Sequence, residues 1–186
     1  TVARLRRVGL RVEPVRVRSL DDVGLALLRV GALLGTEDAA CAAEHRFRDQ
    51  IHALRQRYAG STPIRAMYQI EAEPIFTVNG DSPISEAFAL CGANNIFADY
   101  KHLAGAVGRE SVLAANPDVI VFGRRDGGPA IRASWQRFPA MRAVRAGNLV
   151  EIDADTLARA TPRMAEGATA LCEALDAARA RLAELR

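Results

Sequence analysis

Aromatic residues make up only 5% of the chain, with a single Trp, and so thin a supply argues against a surface that stacks nucleic-acid bases. Lysine is scarcer still: of 25 Lys and Arg residues only Lys101 is a lysine, and the formal net charge is just +3. The one basic cluster, Arg4, Arg6, Arg7, Arg11, Arg16 and Arg18, alternates with Val and Leu and reads as a solvated face, so no nucleic-acid partner is expected. No run approaches the roughly 20 apolar residues of a membrane-spanning helix. Three cysteines are too few for a small disulfide scaffold, and 186 residues at 49% hydrophobic content can bury a core without one. The catalytic signatures G-x-S-x-G, P-loop, H-E-x-x-H and C-x-x-C are all missing, which points away from an enzyme.

What is present is a helix-and-strand alternation. Val2, Leu5 and Val8 space like a last helical turn closed by Gly9, and Leu10 to Val17 alternates like a short strand. The chain opens as if partway through a helix, so a longer protein with a further N-terminal part is expected. Ser19 followed by Asp21 and Asp22 begins a helix that Gly35 stops near Leu34. From Thr36 to Tyr58 the stripe Ala40, Ala43, Phe47, Ile51, Leu54, Tyr58 predicts one long helix, on the order of 33 Å at 1.5 Å per residue. That length suits a strut between two bodies.

Beyond Gly60 the pattern changes to strands at Ile64 to Ile70, Ile75 to Val78, Val119 to Phe122 and Asn148 to Ile152. Helices are expected from Ser82-Pro83 to Gly92, from Arg109 to Ala115, around Ile131 and Trp135, and from Thr161-Pro162 to the end. The fold class is therefore α/β: a long connecting helix and then a Rossmann-like lobe, its mainly parallel sheet flanked by helices. Three segments are expected: 1–18 as the remnant of a preceding lobe, 19–60 as connecting helices, and 61–186 as the α/β lobe.

Few residues carry recognisable chemistry. His45 and His52 share a face of the long helix with Arg48 and Gln56, which marks that face as exposed, and no metal site is expected. The glycines of Gly123 to Gly128 follow a strand and precede a helix, where a phosphate can rest, but they lack the G-x-G-x-x-G spacing. A nucleotide- or sugar-phosphate-handling enzyme domain is the alternative this loop leaves open. Cys41, Cys91 and Cys172 are widely spaced and read as buried small residues; their pairing is left open.

Several blocks in order carry a resemblance. Pro74-Ile75-Phe76-Thr77-Val78-Asn79-Gly80, Ser85 to Asp99, Val107 to Val121, Trp135 with Phe138-Pro139-Ala140, Asp153 and Ala160 to Arg163 resemble the C-terminal lobe of class III, helical-backbone periplasmic binding proteins, and in particular their cobalamin-binding branch. The resemblance covers about residues 1 to 182. It implies a non-enzymatic carrier of an ABC importer that works in the periplasm as a monomer, binds a small-molecule ligand and delivers it to the membrane permease. The implied ligand is cobalamin or a related corrinoid, with haem or a ferric siderophore as the runner-up, and no resident cofactor.

Residue by residue, the resemblance puts Phe76 in the cleft wall, makes Glu110 the exposed acid that docks on the permease, and pairs Cys91 with Cys172. Ala104 and Thr156 stand where cobalamin-binding members carry tryptophans, so Thr156 marks a ligand-facing position with a reduced stacking surface. Arg159 completes the expected ligand face as a partner for a carboxylate or phosphate.

Overall fold

The structure, a computed structural model, describes residues 2–124 and 127–185. A short helix α1 (Val2–Arg7) leads into residues 10–18, which form no strand. The alternation at Leu10 to Val17 thus predicts an element that does not form. No neighbouring strand pairs with it, and Leu10 and Val15 stay 55% and 38% exposed; a strand pattern without a partner leaves its backbone to water.

Helix α2 (Leu20–Leu34) begins with a complete capping box: Asp22 N–H donates to Ser19 Oγ, and Asp22 Oδ2 accepts from the Ser19 N–H. Gly35 ends it in the left-handed region at φ 67°, which favours glycine. Helix α3 (Glu37–Tyr58) spans 22 residues and buries Ala40, Phe47, Ile51, Leu54 and Tyr58, the predicted stripe save Ala43, which is half-buried. It also buries Glu44, which pairs with Arg48 one turn on and lies against Gly24 of α2, where a Cβ would be 3.2 Å from its Cγ.

The lobe follows as β1 (Ile64–Gln69), β2 (Phe76–Val78), α4 (Pro83–Leu90), β3 (Ala93–Asn95), β4 (Ala104–Ala106), α5 (Arg109–Ala115), β5 (Val119–Gly123), α6 (Gly128–Gln136), α7 (Arg142–Arg145), β6 (Leu149–Ile152), α8 (Ala154–Leu157) and α9 (Met164–Glu184). Among the described residues, β3, β1, β5 and β6 pair in that order as a wholly parallel sheet, and β2 and β4 pair antiparallel as a separate ribbon. The last helix starts at Met164, not at Thr161. Thr161 and Pro162 form the turn before it, and their carbonyls accept from Met164 and Ala165.

Both faces of the sheet are covered. On β1 and β5, Ala66, Tyr68, Val119 and Val121 enter the core shared with α3, α4 and α9, while Met67, Ile120 and Phe122 enter the second core with Ile131 and Trp135. The Trp135 indole N–H donates to the fully buried Gln69 Oε1 at 2.6 Å, which pairs these two buried polar groups with each other. Residues of α2 and α3 belong to the first core, so this helix pair is part of the lobe's own packing.

Candidate functional site

The four strands of the parallel sheet point their C-terminal ends one way, and there the chain leaves a cavity of about 490 Å³. Tyr68 and Ile70 contribute from the end of β1, Val78 from β2, Leu103 and Ala104 from the β4 side, and Met164 from the start of α9. The wall opposite the ribbon is α8 and the residues after it, Ala154 to Ala160. Most of this surface is apolar, which suits a bulky apolar ligand held by few polar contacts.

Two devices hold the walls. Asp153 caps α8, its Oδ1 accepting from the Asp155 N–H at 2.9 Å, and Gly167 of α9 lets α8 approach so closely that a Cβ there would lie 2.7 Å from the Thr156 carbonyl carbon. On the other side, Asn79 Nδ2 donates to the Tyr100 carbonyl at 3.0 Å, and Asn95 Nδ2 donates to the Val78 carbonyl and to Ser85 Oγ. Tyr100 in turn lies over Gly105 and donates its hydroxyl to the Ala106 carbonyl at 3.1 Å. Sequence reasoning missed this amide network. Its signal was the Asn79-Gly80-Asp81-Ser82 cluster, which on its own reads as an ordinary turn.

The structure brings together some of the expected site residues. Arg159 lines the cavity, with its Nε 2.9 Å from Asp155 Oδ1. Phe76 does not line it, but it sits two residues before Val78 on β2, hence on the same face, and is half-buried. Thr156 lies behind the wall: it is buried, its hydroxyl donates to the Asp153 carbonyl at 2.9 Å, and it does not line the cavity. Its backbone, not its side chain, lies against Gly167 of α9.

Glu110 stands in the first turn of α5, exposed and outside the cavity wall. Cys91 and Cys172 form a disulfide with Cα atoms 4.9 Å apart. Cys41, expected to be buried, is exposed on α3 and is the unpaired thiol among the described residues. His45 and His52 are exposed, and no group of three or more His, Cys, Asp or Glu side chains is placed for a metal among the described residues.

Of the loop Gly123 to Gly128, Arg125 and Asp126 lie outside the described residues. The start of α6 faces a carboxylate: Glu151 Oε1 lies 3.4 Å from where a Cβ on Gly128 would be. That carboxylate is paired with Arg124 and Arg132, at 3.5 and 3.9 Å.

The arrangement agrees with comparison to known proteins. The family model for periplasmic binding proteins matches residues 10–156. The chain belongs to that family. Among its curated relatives is the vitamin B12-binding protein of Vibrio cholerae, 31% identical over 178 residues covering 95% of this chain and 64% of the relative. A second, from Yersinia pestis, is 35% identical over 155 residues, 83% of this chain and 53% of the relative. The chain therefore spans less than two thirds of the length of these proteins. The crystal structure of the V. cholerae periplasmic vitamin B12-binding protein superposes with a TM-score of 0.85 at 31% identity, over 96% of this chain and 69% of that one. A periplasmic haem-binding protein solved with two haems shares the fold, with a TM-score of 0.80 at 24% identity over 95% of this chain and 70% of that one. The chain is thus α/β in the manner of the class III periplasmic binding proteins, a family that binds and carries substrates for transport.

Proposed function

We propose that this chain supplies one wall of the ligand cleft in a carrier that captures cobalamin or a related corrinoid and delivers it to an ABC permease. The observation that carries the reading is the apolar cavity of about 490 Å³ at the C-terminal ends of the parallel strands, in a chain 31% identical over 95% of its length to a vitamin B12-binding protein. A corrin ring offers a broad, rigid, largely apolar face with polar groups at its edge, and such a ligand gains most from a pre-formed wall. Val78, Leu103 and Ile70 would meet the flat face, with Phe76 at the margin and Arg159 at the polar edge.

In this reading the carrier works in the periplasm as a monomer, and Glu110 docks it on the permease, where an exposed acid can meet arginine. Haem or a ferric siderophore is the alternative cargo of the same site. Titrating the full-length protein with vitamin B12, haem and a ferric hydroxamate while recording visible spectra separates them. Saturable binding of vitamin B12, tighter than the other two, is expected; tighter haem or hydroxamate binding moves the assignment to that cargo, and no binding of any overturns it.

A further inference from the structure

Helix α5 is only seven residues long, about two turns, and a helix so short does not hold its shape by its own hydrogen bonds. Its middle is fixed by Val112, which is fully buried in the second core. Its start has less support. The N-cap residue is Gly108, which has no side chain to accept from the first turn, and Glu110 stands in that turn. Without another anchor the turn would fray and spread Glu110 over many positions.

Arg109, the neighbour of Glu110, supplies that anchor. Its guanidinium Cζ lies 5.7 Å from the centre of the Trp135 ring and 6.0 Å from that of Phe138, within reach of both aromatic faces. Its Nη2 donates to Glu73 Oε2 at 2.8 Å. The Glu73 side chain is 75% exposed, so that ion pair contributes little alone. The ring platform is firmer, because Trp135 is fully buried and its indole N–H is held by Gln69. Helix α6, the turn after it and the β1 to β2 connection thus all meet the side chain of Arg109. Gly108 helps in another way: a Cβ on it would lie 3.1 Å from Glu110 Oε2, so its bare backbone leaves room for the carboxylate.

We propose that Arg109 is a positioning residue for docking on the permease: it pins the first turn of α5 on the Trp135 and Phe138 rings, so that Glu110 is presented in one place. An acid already held in place has less freedom to lose when it meets its partner, which strengthens the contact without adding one. This role rests on the docking reading of Glu110 and adds the residue through which the acid is held.

The test measures the affinity of the full-length protein for its ABC permease in lipid nanodiscs, with no cargo present. Arg109→Met keeps the stem and removes the guanidinium. It should weaken permease binding about threefold, the scale of one partly exposed cation over an aromatic face. In a Glu110→Ala background the same substitution should change binding by less than about 1.5-fold, since no acid remains to be positioned. By NMR relaxation, the order parameter of the Glu110 amide should fall from about 0.85 to below about 0.6 in Arg109→Met. Arg109→Lys, which keeps a cation over the rings, should lose less than Arg109→Met, and it carries the same comparisons if Arg109→Met does not fold. An equal loss with and without Glu110, or no loss where Glu110→Ala alone weakens binding, overturns the positioning role and leaves the docking reading standing. If Glu110→Ala binds the permease as the wild type does, the docking reading fails and the positioning role with it.

Discussion

The disulfide joins the end of α4 to the middle of α9 across 81 residues of chain, and in the loop-entropy picture closing so long a loop is worth about 4.5 kcal/mol. Thiol titration under denaturing, non-reducing conditions should therefore find one reactive thiol, Cys41; three would refute the bridge. Replacing Cys91 and Cys172 by serine should lower stability by about 2–5 kcal/mol in urea melts. Single residues show where sequence reasoning reaches its limit. The Cys91–Cys172 pairing came from resemblance to a family, since spacing alone leaves it open. Arg179 was not singled out at all, yet it donates to the carbonyls of Thr62, Cys91 and Gly92 and ties α9 to the sheet edge beside the bridge. An arginine on a helix looks the same in sequence whether it meets water or three carbonyls. Thr156 illustrates the reverse error, a residue expected to face the ligand whose side chain turns inward.

Elements of regular length and period were legible, as were the short strands β2 and β6, but other short elements were not. Helix α3 has the length its apolar stripe predicts, and α2 starts and stops at its caps, because capping and amphipathic periodicity are local properties. Strands β3 and β4 and helices α7 and α8 are three or four residues long, too short to show a period, and exist because neighbours offer partners. The approach of α8 to α9 depends on Gly167. Gly167→Ala should push α8 outward, costing about 1–3 kcal/mol in stability and weakening ligand binding. Calorimetric melting and a ligand titration check this; normal values in both would mean that α8 yields without moving the wall.

The start of α2 makes a pH-dependent prediction. The Arg18 backbone N–H foremost, with Ser19 adding to it and burial opposing, holds the Asp22 carboxyl below its ordinary value. A carboxyl depressed in the fold stabilises it fully above the ordinary carboxylate range and loses that contribution as pH falls through the folded value. Acid should therefore fray α2 at its first turn. The amide resonances of Arg18 and Ser19 should titrate with a midpoint below that of a free aspartate, and a midpoint at or above it would count against the capping role.

At the scale of the whole molecule, the docking role proposed for Glu110 is separable from the proposed ligand capture, because α5 contributes nothing to the cavity wall. Glu110→Ala in the full-length protein should leave vitamin B12 affinity unchanged and lower uptake by about fivefold or more, on the scale of a charge-assisted contact. Uptake equal to wild type would remove the role. The molecule also exposes Val8, Leu10, Leu25, Leu33 and Leu34 on α1, α2 and their flanks, an apolar surface away from the lobe's two cores.

The sequence by itself determined the α/β alternation, the long helix and the caps at Ser19, Gly35 and Ser82, since each follows from local periodicity or from a residue's own backbone preference. Tertiary structure alone decided which chain ends and loops converge. It put Asp155 and Arg159 on the cavity wall, left Thr156 buried behind that wall and left Leu10 to Val17 without a strand partner. The Asp155–Arg159 and Thr156–Asp153 contacts are themselves local, but which cavity that turn borders depends on segments distant in the chain, and no local pattern encodes them.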